Sequence, residues 1–158
     1  MASFLRSAAL IALLALTAGC SVLSLNPSID TASVGASASA QEVYGYVRSS
    51  AGLAAARPDP ALEKAAMQQA RYMAQTGRMV HTTGRGRDFS ARMRQNGVEG
   101  PAAENIAHGR MEVAKVFQMW VDSPPHRRNM LDPRFSRYGL ASAADAEGRR
   151  YWALVMGN

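Results

Sequence analysis

Glu104-Asn105-Ile106-Ala107, then Trp120, then His126-Arg127-Arg128-Asn129-Met130-Leu131, and finally Tyr151-Trp152 form a cluster of short words in the last third of the chain. Glu104 stands on a short strand candidate, Ala103 to Ala107, in an otherwise apolar stretch. An acid in such a place is either paired or functional, because burying a lone carboxylate is expensive. His126 follows Pro124-Pro125 and precedes two arginines, whose charge would disfavour its imidazolium form. His81, upstream, lies between a helix candidate and the glycine-rich run Thr82-Thr83-Gly84-Arg85-Gly86. Two histidines and an acid this far apart can act together only if a fold gathers them.

Working outward, Gln41 to about Leu53 is helical by pattern, with Val43, Tyr44 and Val47 on one face. Asp59 is a good N-cap and Pro60 suits the first position of the next helix, where its missing N–H costs nothing. Leu62, Ala66, Ala70 and Met73 follow at helical spacing, and Gly77 can close that helix. Asp88 can cap a short helix through Phe89 and Met93, ending at Asn96-Gly97. Val113, Val116, Phe117 and Trp120 give the i, i+3, i+4, i+7 stripe of an amphipathic helix, which Pro124-Pro125 ends. Tyr138 to Ala143 and Tyr151 to Met156 read as two strands around a turn near Glu147-Gly148. Helices first, strands late and no strand–helix alternation predict an α+β fold.

The first forty residues read as addressing rather than fold. Arg6 and the free amine precede an uncharged apolar run, Ala8 to Leu16, too short to cross a bilayer as a helix and suited to a secretory signal. Thr17-Ala18-Gly19-Cys20 resembles a bacterial lipobox, in which the Cys20 thiol is acylated and becomes the new N-terminus. A signal cleaved after Ala38-Ser39-Ala40 and an uncleaved anchor are the competing readings. The expected organisation is thus a lipoprotein signal peptide over 1–19, a lipidated Cys20 with a serine- and alanine-rich tether over 20–40, and one domain over 41–158. Several acyl chains would hold the protein on a membrane where one alone binds marginally.

A chain of 158 residues with 47% hydrophobic and 19% charged residues supports one globular domain and excludes wholesale disorder. Its single cysteine, Cys20, excludes an internal disulfide. Past residue 19, 17 basic residues face 12 acidic ones, which favours loose attraction to anionic surfaces such as lipid headgroups, polyanionic glycans or nucleic acid. Nucleic acid is not expected, since no aromatics interleave Arg85, Arg87, Arg92 and Arg94 as base stacking would need. The chain has no H-E-x-x-H, no phosphate-binding glycine loop and no G-x-S-x-G elbow. Asn129 reads as a residue whose amide ties down backbone. His108, directly before Gly109, reads as exposed.

In this order and spacing the words resemble the bacterial branch of the CAP superfamily (SCP/TAPS: cysteine-rich secretory proteins, antigen five and pathogenesis-related proteins of class one). The similarity runs over roughly residues 42 to 156, from Arg48 and Gly52-Leu53 through Asp59-Pro60-Ala61-Leu62, His81, Glu104-Asn105-Ile106, Trp120 and His126 to Leu131, to Tyr138-Gly139 and Tyr151-Trp152. The resemblance implies a three-layer α-β-α sandwich around a small antiparallel sheet, with a cleft holding two histidines and two acids. His81, Glu104 and His126 match three of these. The fourth falls on Asp122, one methylene short and out of register by one residue.

Three functional readings follow. The first is a cell-envelope lipoprotein, on the outer membrane facing the periplasm if the cell has one, whose His/Glu cleft binds a lipid or sterol-like ligand, a metal or an envelope component. The second is a metal-dependent hydrolase or peptidase, with zinc or another divalent cation on His81, His126 and Glu104 and with Glu104 or Asp122 as base. The third is a non-catalytic scaffold binding anionic envelope glycans or partner proteins through its arginines.

Overall fold

The computed structural model describes residues 33–158; the expected signal peptide, Cys20 and the tether up to residue 32 lie outside the described residues. The elements run β1 (Ser33–Gly35), α1 (Ser37–Ser49), β2 (Arg57–Pro58), α2 (Pro60–Thr76), α3 (Phe89–Gln95), β3 (Ala103–Gly109), α4 (Val113–Asp122), α5 (Pro124–Met130), β4 (Arg137–Ala144) and β5 (Arg150–Gly157). The sheet order is β1-β4-β5-β3, antiparallel throughout, and β2 adds a short parallel pairing to the start of β4. Among the described residues no helix is long and apolar enough to cross a membrane.

The layering follows from strands that are apolar on both faces. Successive side chains of a strand point to opposite sides. In β5, Trp152, Leu154 and Met156 pack with Tyr44 of α1, Val116, Phe117 and Trp120 of α4 and Met130 of α5. Tyr151, Ala153 and Val155 pack instead with Leu62, Ala66, Ala70 and Met73 of α2. The sheet is therefore filled from both sides, with α1, α4 and α5 on one face and α2 with α3 on the other: the α+β fold expected from the sequence pattern, in the three-layer arrangement that the resemblance implies.

Local chemistry sets the helix ends. The Asp59 carboxylate accepts from the N–H groups of Ala61 and Leu62, and Gly77 ends α2 in the left-handed conformation at φ 64°. Gly139 lets β4 lie against the first turn of α2. A Cβ there would fall 1.9 Å from the Glu63 nitrogen, so no other residue fits without moving backbone.

Two expectations change. The domain begins before residue 41. Ser33–Gly35 pairs with Ala141–Ala143 of β4, Ala40 is fully buried, and the Ser37 hydroxyl accepts from Leu140 N–H. Residues 33–40 are thus domain rather than tether. Pro124-Pro125 does more than stop α4: with Ser123 extended at φ −93° and ψ 112°, the prolines occupy the first positions of a further helix, α5, where missing N–H groups are tolerated.

Candidate functional site

The order of the sheet leaves β3 at an edge, and two consecutive residues of that edge strand build the site. Glu104 and Asn105 point to opposite faces. Ile106, on the face of Glu104, packs with the α2 cluster, and Ala107, on the face of Asn105, packs with the α1/α4 cluster. One residue therefore reaches toward α3 and the loop carrying His81, the other toward α5 carrying His126.

On the first side, Glu104 Oε1 lies 2.9 Å from His81 Nδ1, and Oε2 accepts from Arg92 Nη2 at 2.5 Å. The Glu104 and Arg92 side chains are 2% and 0% exposed, whereas the His81 side chain is 53% exposed. Arg92 also donates through Nη1 to the carbonyls of His81, at 3.1 Å, and Arg87, at 2.9 Å. Gln69, buried on α2, holds the Val80 carbonyl at 2.7 Å. A carboxylate ion-paired to a guanidinium is acceptor-only, so His81 presents its proton on Nδ1. In the neutral ring Nε2 is then left with a lone pair and, among the described residues, no protein partner.

On the second side, Asn105 is fully buried; its Nδ2 donates to the His126 carbonyl at 3.0 Å, and its Oδ1 accepts from Asn129 Nδ2 at 2.9 Å. The far end of α5 is held just as firmly. The Met130 carbonyl accepts from the Tyr44 hydroxyl and from Arg48, which also bonds the carbonyls of Ala54, Asp132 and Phe135. Burial pushes the Tyr44 hydroxyl up to about 12, so it stays a donor. Trp120 Nε1 donates to the Ile106 carbonyl, tying α4 to β3. His126 Nδ1 meets Ser123 Oγ at 2.9 Å, again leaving Nε2 without a protein partner among the described residues. The His126 pKa is held below the ordinary histidine value by partial burial and then by the charge of nearby His81. The ring stays neutral, as expected, but not because of Arg127 or Arg128. Arg127 is exposed and turns toward the Val121 carbonyl.

The structure thus brings His81, Glu104 and His126 to one edge. It does not bring Asp122. That residue lies off the buried stripe of α4, is exposed, and accepts from Gln118 Nε2 at 2.8 Å. His108 is exposed, as expected, with its ring stacked on Tyr151. Asn129 ties to a side chain, Asn105, rather than to backbone. Arg92 is the residue sequence reasoning missed, since the sequence alone sets it only beside Arg85, Arg87 and Arg94, in the question of nucleic acid. Its signal was position: it shares the inward face of α3 with Phe89 and Met93 at i+3 and i+4.

A sequence model of CAP, the Cysteine-rich secretory protein family, matches residues 42–156. The chain belongs to the CAP family. The fold of this CAP domain is similar to an outer surface protein of Borrelia burgdorferi (TM-score 0.68, 18% identity, 80% of this chain and 96% of that one). It is also similar to an extracellular SCP-domain protein of Bacillus anthracis str. Ames (TM-score 0.65, 19% identity, 77% of this chain) and to a cysteine-rich secretory protein of Staphylococcus aureus (TM-score 0.59, 19% identity, 76% of this chain). This chain spans 40% and 37% of the length of those two. No curated protein matches it in sequence.

The three-ligand metal set does not fit this CAP cleft. Both oxygens of Glu104 are committed, and among the described residues no three His, Cys, Asp or Glu side chains gather as ligands. What the donor chemistry does fit is a pair of imidazole Nε2 atoms, with Glu104 orienting His81 from behind. Apolar volume lies elsewhere: a groove of about 310 Å³ is walled by Val43 and Val47 of α1, Phe117 and Val121 of α4, and Leu131, with neither histidine nor Glu104 in its lining.

Proposed function

We propose that this CAP domain works at the bacterial cell envelope as a ligand-binding module whose cleft acts through His81 Nε2 and His126 Nε2. The observation that carries this reading is the chain Arg92–Glu104–His81, in which a wholly buried ion pair fixes a half-exposed imidazole near enough to His126 for its charge to be felt there. Two such nitrogens suit a zinc-like divalent cation, which would supply open coordination positions for a further ligand. Hydrolysis is less well supported, since a general base needs a free carboxylate: Glu104 is committed twice and Asp122 is turned outward. Zinc titration of the full chain by calorimetry tests the cleft. One saturable site should appear, be lost in His81→Ala and in His126→Ala, and weaken about tenfold or more in Glu104→Gln, which removes the orienting charge. Binding indifferent to both histidines, or absent, would sink the metal-binding reading.

Anchoring through an acylated Cys20 is part of the same proposal, supported by Thr17-Ala18-Gly19-Cys20 and by fold neighbours that are outer surface and extracellular proteins. Labelling with radioactive palmitate in cells should mark the chain and fail in Cys20→Ala. A label that persists in that variant refutes the anchor.

A second reading, carriage of a lipid or sterol-like ligand, draws support from the α1–α4 groove rather than from the His/Glu cleft. Fluorescent fatty acid should then bind the native chain and His81→Ala alike and lose affinity in Val47→Asp. The reverse pattern would return the lipid to the polar cleft.

A further inference from the structure

On the side of the sheet away from α1 and α4, we infer a second binding site, between α2 and α3, for a polyanionic polysaccharide. Lys64, Gln68, Arg71, Tyr72 and Gln75 form one continuous stripe of α2, and Gln95 and Asn96 at the end of α3 form the opposite wall of a cleft of about 440 Å³. Most of its polar floor is already fixed. Gln68 Nε2 donates to the Tyr72 hydroxyl at 2.9 Å and to Gln95 Oε1 at 2.8 Å, while Asn96 Nδ2 donates to Gln68 Oε1 at 2.8 Å. Arg87, outside the lining itself, lies over the ring of Tyr72, which does line the cleft, with its guanidinium 4.5 Å from the ring centre.

The charge here is unbalanced. The carboxylates of Asp59, Glu104, Asp132, Asp145 and Glu147 pair with arginines elsewhere on the molecule. Among the described residues none of Lys64, Arg71, Arg85, Arg87 and Arg94 pairs with a carboxylate within 4.0 Å. The nearby acids are otherwise engaged: Glu63 accepts from Ser37 N–H, and Asp88 caps α3. A net positive wall above an amide floor matches a ligand that carries anionic groups and many hydroxyls. Amides serve hydroxyls as both donors and acceptors, and fixed guanidinium groups favour carboxylate or phosphate.

The shape decides among anionic polymers. Lys64 and Arg71 are two helical turns apart, roughly 10 Å along α2, which a polymer bridges and a small anion does not. Among the described residues Tyr72 is the only aromatic ring lining the cleft, and Arg87 lies over its face, which leaves no platform for stacking bases. Among the described residues Met67 is the only apolar side chain in the lining and it is half-buried, so a bilayer finds no row of apolar groups to enter. The residues lining it are not those of the histidine cleft; of the three substituted residues Arg87 alone touches that cleft, through its backbone carbonyl on Arg92, which the substitution keeps.

The test uses the full chain and three probes: polygalacturonate as a carboxylated polysaccharide, dextran as a neutral one, and phosphatidylglycerol vesicles. The combined variant Lys64→Gln, Arg71→Gln, Arg87→Gln is set against Arg57→Gln, Lys115→Gln, Arg128→Gln, which removes the same charge from other exposed positions. Circular dichroism confirms that both variants fold. Native chain should bind polygalacturonate well above dextran and vesicles, with affinity falling about tenfold or more in the cleft variant and less than about threefold in the other, since only the first removes fixed partners rather than diffuse charge. Equal weakening in both variants would show diffuse attraction and overturn the site. No binding to polygalacturonate, equal binding to dextran, or stronger binding to vesicles overturns the polysaccharide.

Discussion

Replacing Arg92 with leucine exposes the logic of the cleft most directly. The arginine is 0% exposed and lies against a carboxylate whose side chain is 2% exposed, so Arg92→Leu leaves Glu104 buried with only His81 beside it. Breaking a buried pair by removing one partner costs about 3–5 kcal/mol, most of it the uncompensated charge left behind. The carbonyls of His81 and Arg87 lose a donor as well, at about 1 kcal/mol each. If the stranded charge dominates, neutralising it should restore much of the loss. In the Glu104→Gln background, Arg92→Leu should cost only about 2 kcal/mol, the share of the two carbonyls. The assay is urea unfolding of the full chain followed by tryptophan fluorescence, since Trp120 and Trp152 are 1% and 3% exposed. The single variant should thus lose about 5–7 kcal/mol, and at a slope of about 2 kcal/mol per molar its midpoint should fall by roughly 3 M. Additivity within about 0.5 kcal/mol across the four proteins would refute the reasoning, because it would mean that Arg92 and Glu104 do not sense each other.

Three further outcomes follow from packing and protonation. His126 has a pKa below its unfolded value, so the unfolded chain binds its proton first as the pH falls. The contribution of this ring to stability is fully present above about pH 6.5 and is lost as the pH drops through the window between that value and the lower folded pKa; melting temperatures from pH 7.5 to 5 should fall less steeply in His126→Gln. Gly139→Ala puts a methyl into the backbone of α2 and should cost about 3 kcal/mol or more, measured by thermal melting. Gly45→Ala, in mid-helix with nothing within 4 Å of the new methyl, should instead stabilise by about 0.5–1 kcal/mol.

Much of the fold was legible because local rules and tertiary packing agree. Asp59-Pro60 and Gly77 bracket α2 by capping chemistry alone, and the stripe from Val113 to Trp120 is the buried face of α4. β1 and β2 were not legible. At three and two residues they have no period to read, and β1 depends on Gly35 making room for the Glu63 carboxylate, a contact between residues far apart in sequence. α5 was hidden by its own prolines, which stop one helix and start another with the same chemistry. In the cleft the residue types marked His81, Glu104 and His126, since each asks for a partner. They did not mark Arg92, because one arginine among 15 in the chain past residue 19 looks like surface until a carboxylate is seen to bury it.

The role of Glu104 changes once that partner is known. An acid between two histidines invites the idea of a third ligand or a base, and either role needs a lone pair turned to the cleft. Here one oxygen faces a guanidinium and the other the back of an imidazole, so the carboxylate works by fixing a tautomer and an angle. Asn105 does the corresponding work for His126 through backbone, on the opposite face of the same strand. A slip of one residue in β3 would exchange the two faces and place the acid under α5, away from Arg92. The pairing of Glu104 with Val155 and of Asn105 with Leu154 is therefore as much a part of the site as the histidines, and that register is set by apolar residues on both faces of β5.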